Sequence, residues 1–148
     1  MKDLNEYRVT EPMSALEIIR ERIIPIIQED HRRIRMGLLA GESPECGTVA
    51  CIGGWINWVA AEGLPKGGCL SERAERLVPP HLRHELHSAF YGGYHFSTPD
   101  GTPKQQEAVI SFLNNFCERH EKDLRCWIID PTSEGLGSED VNVTEVVK

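Results

Sequence analysis

Apolar residues recur at helical spacing through the first part of the chain, around a capping box formed by Ser14 and Glu17. The repeat consists of Leu16, Ile19, Ile23, Ile26 and Ile27. Pro25 lies within this repeat, and a proline inside a helix removes a backbone donor and clashes with the preceding turn. The pattern therefore predicts an early helix that kinks or restarts at Pro25.

A second helix is predicted in the centre of the chain, where the sequence CGTVACIGGW runs from Cys46 to Trp55. Thr48 is placed to cap this helix, which we expect to continue to about Glu62, before Gly63 ends it. Both of its faces carry apolar side chains, and a helix that is apolar all round is normally buried. This segment is therefore the predicted core helix.

The second half of the chain predicts further helices and one extended segment. A helix is expected over residues 80–90, and Thr102 followed by Pro103 marks the start of another. The sequence CWIID, residues 126–130, is partly β-branched and bounded by a proline, so it predicts an extended segment. Residues 132–148 lack a helical period, and we expect them to be loosely held or to pair weakly.

These elements predict an all-α protein with a single compact helical domain. The domain spans residues 1–131 and contains about five to six helices and one short extended segment. A loose polar tail follows over residues 132–148. The length is sufficient for one buried core without disulfides or metals, and 40% hydrophobic with 26% charged residues is typical of a soluble globular domain.

Charge and cysteine content exclude several classes of function. A net charge of −7 at pH 7 disfavours direct binding to nucleic acid, because phosphate contacts need clustered Lys and Arg. No apolar run approaches the roughly 20 residues of a membrane span, and the N-terminus has no apolar segment typical of a signal peptide. The five cysteines, an odd number, are then expected to be reduced thiols in the cytoplasm.

The two glycines of the central helix indicate a close neighbour. Gly53 and Gly54 each cost roughly 0.5–1 kcal/mol relative to alanine inside a helix, which either another helix or a ligand must offset. Cys51, Gly54 and Trp58 share one face of the predicted helix. The free N–H groups of its first turn, from Thr48 to Cys51, are suited to hold an anion. Basic groups for such an anion would come from Arg32, Arg33 or Arg35.

The second unusual stretch is a glycine-rich loop with aromatic side chains. Tyr94, His95 and Phe96 come directly after Gly92 and Gly93. Exposed aromatics on such a loop clamp a ligand or anchor a partner, whereas buried ones plug the core. The predicted ligand-binding residues are Thr48, Cys51, Gly54, Trp58, Tyr94, His95 and Phe96.

An enzymatic alternative uses the same central block. The Cys46-Gly47 pair opening an apolar helix is similar to the nucleophile block of papain-like and bacteriocin-processing cysteine peptidases. The resemblance implies a catalytic set of Cys46 or Cys51 with His120 and Asp130. Those enzymes take their histidine and acid from strands, however, whereas the second half of this chain predicts helices. A cysteine hydrolase is therefore the alternative function, and the leading one has no catalytic residue.

Three histidines on one predicted helix, His81, His84 and His87, suggest a metal site at first sight. Residues six apart lie about 240° apart around a helix, so His81 and His87 cannot share one ion. Cys46 and Cys51 are at the wide end of the spacing for a zinc pair, and no second pair matches them. We therefore predict neither a metal nor another cofactor.

The order of these features resembles that of uncharacterised proteins from phages and bacterial mobile elements. The shared features are a CGT-x-x-C-x-x-G block, a short helix, an aromatic loop and a Thr-initiated helix with the sequence TPKQQEAVISFL, covering residues from about 30 to 120. The resemblance implies a small cytosolic accessory protein and brings no activity with it. The predicted function is a non-enzymatic module that binds a small anionic ligand or a partner protein and is free to form homo-oligomers.

Overall fold

The computed structural model describes residues 4–34, 41–43, 47–49, 52–60, 63–64, 70–90, 102–131 and 143–145. Most of these residues are helical, which confirms the predicted fold class. The α-helices are α1 (Ala15–Ile18), α2 (Ile24–Glu29), α3 (Ile52–Ala60), α4 (Leu70–Glu75), α5 (Arg83–Phe90), α6 (Pro103–Arg119) and α7 (Glu121–Cys126). The strands are β1 (Met13–Ser14), β2 (Gly41–Ser43), β3 (Gly47–Val49), β4 (Trp127–Ile129) and β5 (Val143–Glu145). Among the helices so described, none is long and apolar enough to cross a membrane.

The first helix begins and is interrupted where the sequence predicts. The hydroxyl of Ser14 accepts a hydrogen bond from the backbone N–H of Glu17, and the Glu17 carboxylate accepts one from the backbone N–H of Ser14, both at 3.1 Å. A π-helical segment, Ile19–Ile23, joins α1 to α2. It ends where the N–H of Ile24 donates to the carbonyl five residues earlier, and Pro25 follows directly. The π turn thus accommodates Pro25, because it shifts the carbonyls out of the α-helical register in which a proline ring clashes.

Helix α3 lies in the core, as predicted. Seven of its nine residues are buried, including Gly53 and Gly54, and α3 is in contact with α4 and with the π-helical segment. The indole of Trp55 is fully buried, and its Nε1 donates to the carbonyl oxygen of Arg33 at 3.0 Å. This hydrogen bond ties the core helix to the turn that follows α2.

The predicted start of the core helix at Thr48 is wrong. Thr48 lies in β3 and pairs with Glu42 of β2, and the helix begins at Ile52. A β-branched threonine next to Val49 suits a strand as well as a helix cap. Its partner strand was not evident in the sequence, because residues 41–43 (GES) show no alternation of apolar and polar side chains.

Strand β4 is the centre of a three-stranded antiparallel sheet with the order β1-β4-β5. It confirms the extended segment predicted for CWIID. Ser14 of β1 lies opposite Ile128, and Thr144 of β5 lies opposite Ile128 on the other side. Part of the predicted polar tail, residues 143–145, therefore pairs with the domain, in agreement with the expectation that the tail is either loose or weakly paired.

Helix α6 starts at the predicted cap. The hydroxyl of Thr102 accepts a hydrogen bond from the backbone N–H of Gln105 at 3.4 Å, and Pro103 occupies the first helical position. The buried stripe of α6 includes Leu113 and Phe116. After α6, the short helix α7 packs against α1 and leads into β4. This return of the chain brings the end of the domain next to its first helix.

Candidate functional site

A cleft of about 400 Å³ lies between the first helix and the segment formed by α7 and β4. Its volume falls in the range of roughly 300–1,000 Å³ that is usual for small-molecule sites. The lining combines two aliphatic side chains, one hydroxyl and four charged groups. It consists of Ser14, Leu16, Glu17, Arg20, Glu21, Arg125 and Ile128.

The pairing of β1 with β4 builds the apolar part of the cleft. Ser14 and Ile128 are direct partners in this antiparallel pair. Successive residues of a strand point to opposite faces of a sheet, so Trp127 and Ile129 are buried in the core while Ile128 is half-buried and lines the cleft. Leu16, which lies two residues beyond β1, adds a second aliphatic side chain. A ligand in the cleft would therefore contact an apolar surface.

The π-helical segment supplies two of the charged groups. Arg20 and Glu21 both belong to it and both line the cleft. A π turn changes the rotational position of its side chains relative to a regular α-helix, and such turns are rare and frequent at functional sites. The irregularity that accommodates Pro25 therefore coincides with the charged wall of the cleft.

The two arginines of the cleft differ in their contacts. Arg125 forms an ion pair with Glu121, one turn earlier on α7, which leaves other N–H donors of its guanidinium for further contacts. Arg20 forms no hydrogen bond or ion pair with any other side chain in the described ranges, and it is exposed. Its positive charge is not matched by a direct protein contact there.

The two glutamates of the cleft also differ. Glu17 completes the capping box, and its Oε1 accepts hydrogen bonds from both the backbone N–H and the hydroxyl of Ser14 at 3.1 Å. Glu21, one helical turn further on, is exposed and makes no such contact with a residue that the structure describes. The wall opposite Arg125 therefore presents one unengaged cation, Arg20, and one unengaged anion, Glu21.

The residues predicted to bind a ligand lie elsewhere. Gly54 is buried within α3, and Thr48 lies in β3. Trp58 is half-buried, and its ring is covered by the guanidinium of Arg8, with 3.8 Å between Cζ and the ring centroid. None of these three residues lines the cleft. The other predicted residues, Cys51, Tyr94, His95 and Phe96, lie outside the described residues.

The arginines expected to serve an anion near the central block already have carboxylate partners. Arg32 donates from Nε and Nη2 to the carboxylate of Asp30, at 3.0 and 2.9 Å. Arg33 donates from Nη1 to Oε1 of Glu29 at 3.0 Å, and its side chain is only 3% exposed. The third candidate, Arg35, lies outside the described residues. The described part of the chain thus offers no unmatched positive charge at this position.

Tyr7 forms a cluster with Glu29 and Arg33, in which Tyr7 and Arg33 are buried and Glu29 is exposed. Its hydroxyl donates to Oε2 of Glu29 at 2.6 Å. This hydrogen bond, helped by Arg33, holds the pKa of Glu29 below its ordinary value, while burial and the same hydrogen bond raise the pKa of Tyr7 to about 12. Both groups therefore keep one protonation state around neutral pH, which suits a structural cluster rather than proton transfer.

The candidate catalytic histidine has a different partner from the one expected. His120 Nε2 contacts Oε1 of Glu85 at 2.9 Å and not Asp130, and its ring lies edge-on to Phe116. Arg119 also contacts Glu85. Burial raises the pKa of Glu85, but the hydrogen bonds from Arg119 and His120 outweigh burial and lower it overall. The cluster joins α5 to the end of α6.

Cys117, the cysteine one turn before this histidine, does not have the environment of a nucleophile. It is fully buried, and burial raises the pKa of its thiol to about 11. A nucleophilic cysteine needs a lowered pKa instead. The proposed nucleophiles, Cys46 and Cys51, lie outside the described residues, so the hydrolase alternative stays a prediction.

The histidines of the second half form separate pairs with carboxylates. His81 Nε2 lies 3.2 Å from the carboxylate of Asp123, and His87 contacts Glu75 on α4. His84 is exposed. Within the described ranges there is no group of three or more potential ligands that could hold a metal ion.

The cleft could not be predicted from the sequence, for a physical reason. Glu17, Arg20 and Glu21 have the spacing of an ordinary solvated helix face, and nothing local indicates that Arg125 lies opposite them. Their proximity depends on the packing of α7 against α1, which is a long-range contact. The one available signal was Pro25, because it predicted an irregularity in the turn that contains Arg20.

Comparison of the chain with protein-family models, with curated proteins and with solved structures finds no match.

Proposed function

We propose that this chain is a non-enzymatic module that binds a small anionic ligand in the cleft between the first helix and the α7–β4 segment. One observation carries the proposal: the exposed guanidinium of Arg20 lies in a cleft of ligand size without a partner among the described residues. Arg125 lines the same cleft and supplies a second cation.

Arginine is well suited to this role. Its planar guanidinium can bind a carboxylate or a phosphate with two parallel hydrogen bonds, and charge-assisted bonds of this kind are stronger than neutral ones. Arg125 is already oriented by its ion pair with Glu121, so less side-chain freedom is lost when a ligand binds. The two arginines together favour an anionic group over a neutral polar one.

The aliphatic surface of the cleft limits the kind of anion. The half-buried side chain of Ile128 would remain partly hydrated beside an inorganic ion, whereas a ligand with an aliphatic body would bury it. We therefore expect an organic anion with an apolar part. A bare phosphate or sulfate would use only the charged half of the lining.

The chemistry of the lining supports binding rather than catalysis. Among the described residues, the lining contains neither cysteine nor histidine. The hydroxyl of Ser14, the only lining group that resembles a nucleophile, both accepts from the N–H of Glu17 and donates to its carboxylate. The carboxylate next to this hydroxyl also accepts the backbone N–H of Ser14, so both groups are engaged in capping the helix. The resemblance to phage and mobile-element proteins adds support for an accessory role.

Calorimetric titration with isocaproate tests the proposal, because this compound joins one carboxylate to a branched aliphatic chain. We expect saturable binding to the wild-type protein and binding about tenfold weaker to Arg20→Gln, which loses a charge-assisted contact. Lys122→Gln is the matched control: it removes one positive charge from the exposed face of α7 but does not line the cleft, and it should bind as the wild type does.

Two results would contradict the proposal. The first is no detectable binding to the wild type, at millimolar concentrations, of either isocaproate or leucine, which carries the same carboxylate and aliphatic chain. The second is an equal loss of affinity in Arg20→Gln and Lys122→Gln, which would indicate a general effect of net charge rather than a contact in the cleft. A circular dichroism spectrum identical to that of the wild type shows that each variant is folded.

A further inference from the structure

We infer that the ligand of this cleft is a zwitterion of the amino-acid class, carrying an ammonium group as well as a carboxylate and an aliphatic side chain. The inference rests on the proposed function and specifies it. It is based on the glutamates that line the cleft, because a ligand with only a negative charge would make no favourable contact with them.

The cleft is lined by charges of both signs, and Arg125 is in addition paired with Glu121. Two arginines and two glutamates line the cleft. A ligand with only a negative charge would be attracted by Arg20 and Arg125 but repelled by Glu17 and Glu21 at similar distances. A zwitterion avoids this conflict, because its own cation can lie beside the glutamates while its carboxylate lies beside the arginines.

Glu21 is the better acceptor for the ammonium group. Its carboxylate has no hydrogen-bond or ion-pair partner among the residues that the structure describes. Glu17 already uses Oε1 for the two hydrogen bonds of the capping box. An ammonium group has three donors and no acceptor, so an unengaged carboxylate beside it is the group that it requires. Arg20 and Glu21 both line the cleft, so each of the two charges of a zwitterion has a group of opposite charge there.

The aliphatic part of the cleft indicates the class of side chain. Ile128 offers branched aliphatic surface, and among the described residues of the lining only Ser14 and the four charged residues have side chains able to form hydrogen bonds. A branched aliphatic side chain would bury this surface without leaving a polar group unpaired. Leucine is thus a suitable compound with which to test the inference.

The test compares three compounds by calorimetric titration of the full-length chain at pH 7. Isocaproate is leucine without its ammonium group, and isoamylamine is leucine without its carboxylate. We expect leucine to bind about tenfold more tightly than isocaproate, which is the effect of one charge-assisted hydrogen bond, and isoamylamine to bind most weakly.

Two variants assign the ammonium site. Glu21→Gln should remove the advantage of leucine over isocaproate and leave the affinity for isocaproate unchanged or higher. Glu107→Gln, an exposed change on α6 outside the cleft, should preserve the advantage. Glu21 is itself exposed, so its replacement is not expected to affect folding.

The outcomes separate this inference from the proposed function. If isocaproate binds through Arg20 as tightly as leucine does, the inference is overturned and the anion-binding function stands. If leucine binds more tightly but Glu21→Gln does not change its advantage, the inference is also overturned. If none of the three compounds binds the wild type, both the inference and the proposed function are overturned.

Discussion

Arg33 and Arg20 lie in the same stretch of chain and have similar sequence surroundings, yet the fold uses them in opposite ways. Arg33 follows Glu29 by four residues, and Arg20 follows Glu17 by three. In an unbroken helix both spacings would place opposite charges on one face, although α2 ends at Glu29 and Arg33 lies in the turn that follows. In the structure Arg33 is almost fully buried and bound to Glu29, whereas Arg20 is exposed and has no ion-pair partner among the described residues.

Burial explains the difference between the two arginines. A charge removed from water is costly unless it is paired and hydrogen-bonded, so Arg33 must be held by Glu29 and by the carbonyl of Ile26. Arg20 is hydrated and carries no such requirement. The buried arginine therefore has a structural role, because its charge is used in contacts within the protein. The exposed arginine in the cleft keeps its charge available for a ligand.

The sharpest test of this comparison replaces each arginine by methionine, which keeps a long unbranched side chain. Arg33→Met should lower the free energy of unfolding by about 2 kcal/mol, because the buried Ile26 carbonyl loses its donor and Glu29 keeps only Tyr7 as a side-chain partner among the described residues. Arg20→Met should change it by less than about 0.5 kcal/mol. Urea denaturation measures both values.

A control variant separates burial from charge in this experiment. Arg32 is paired with Asp30 but its side chain is 43% exposed, so Arg32→Met should cost less than about 1 kcal/mol. An equal effect of Arg33→Met and Arg32→Met would show that burial does not distinguish these arginines, and the comparison would fail.

The hydroxyl of Tyr7 provides a second test of the cluster formed by Tyr7, Glu29 and Arg33. Tyr7→Phe keeps the ring and removes the hydrogen bond to Glu29, so it should lower the free energy of unfolding at pH 7 by about 1.5 kcal/mol, the usual contribution of a bond to a charged group. Thermal or urea unfolding measures the loss. A neutral result would mean that water replaces the hydroxyl at no cost.

The same variant has a predicted pH dependence. The pKa of Glu29 is lowered in the folded protein, mainly by the hydrogen bond from Tyr7. A lowered folded pKa contributes stability that is fully present above the unfolded pKa of about 4.3 and is lost as the pH falls through the folded value. The difference in stability between wild type and Tyr7→Phe should therefore shrink on acidification below that pH. A difference that is constant from neutral to acid pH would contradict this assignment.

Patterns within one or two turns of the sequence predicted the starts and interruptions of helices. They did not predict the cleft. The capping box at Ser14, the interruption at Pro25 and the cap at Thr102 each depend on residues within one or two turns, and each is confirmed. The strand at Thr48 was missed because a strand is stabilised by its partner, here residues 41–43, and those residues carry no strand pattern of their own.

Long-range packing accounts for what the sequence could not show. The cleft exists because α7 returns to α1 and places Arg125 opposite Arg20. The burial of Arg33 also depends on distant contacts, such as the hydrogen bond that its carbonyl accepts from Trp55. Spacing along a helix gives the face on which a charge lies, but only the tertiary fold decides whether that face meets water, a carboxylate or a ligand.

The smallest predicted effect concerns Pro25, which links the helix irregularity to the cleft. Pro25→Ala restores a backbone donor and removes the ring, so the segment Ile19–Ile23 becomes free to adopt the α-helical register. Arg20 and Glu21 would then rotate relative to Arg125. We expect isocaproate to bind roughly threefold more weakly, equivalent to about 0.7 kcal/mol, while the free energy of unfolding changes by less than about 1 kcal/mol.

Gln28→Ala is the matched control for this prediction, because it changes an exposed residue of the same helix outside the cleft. It should leave both affinity and stability unchanged. Amide hydrogen exchange across residues 19–25 reports whether the register has changed in Pro25→Ala. If the exchange pattern shows a regular α-helix and isocaproate still binds with wild-type affinity, the π turn accommodates the proline alone, and the position of Arg20 in the cleft does not depend on it.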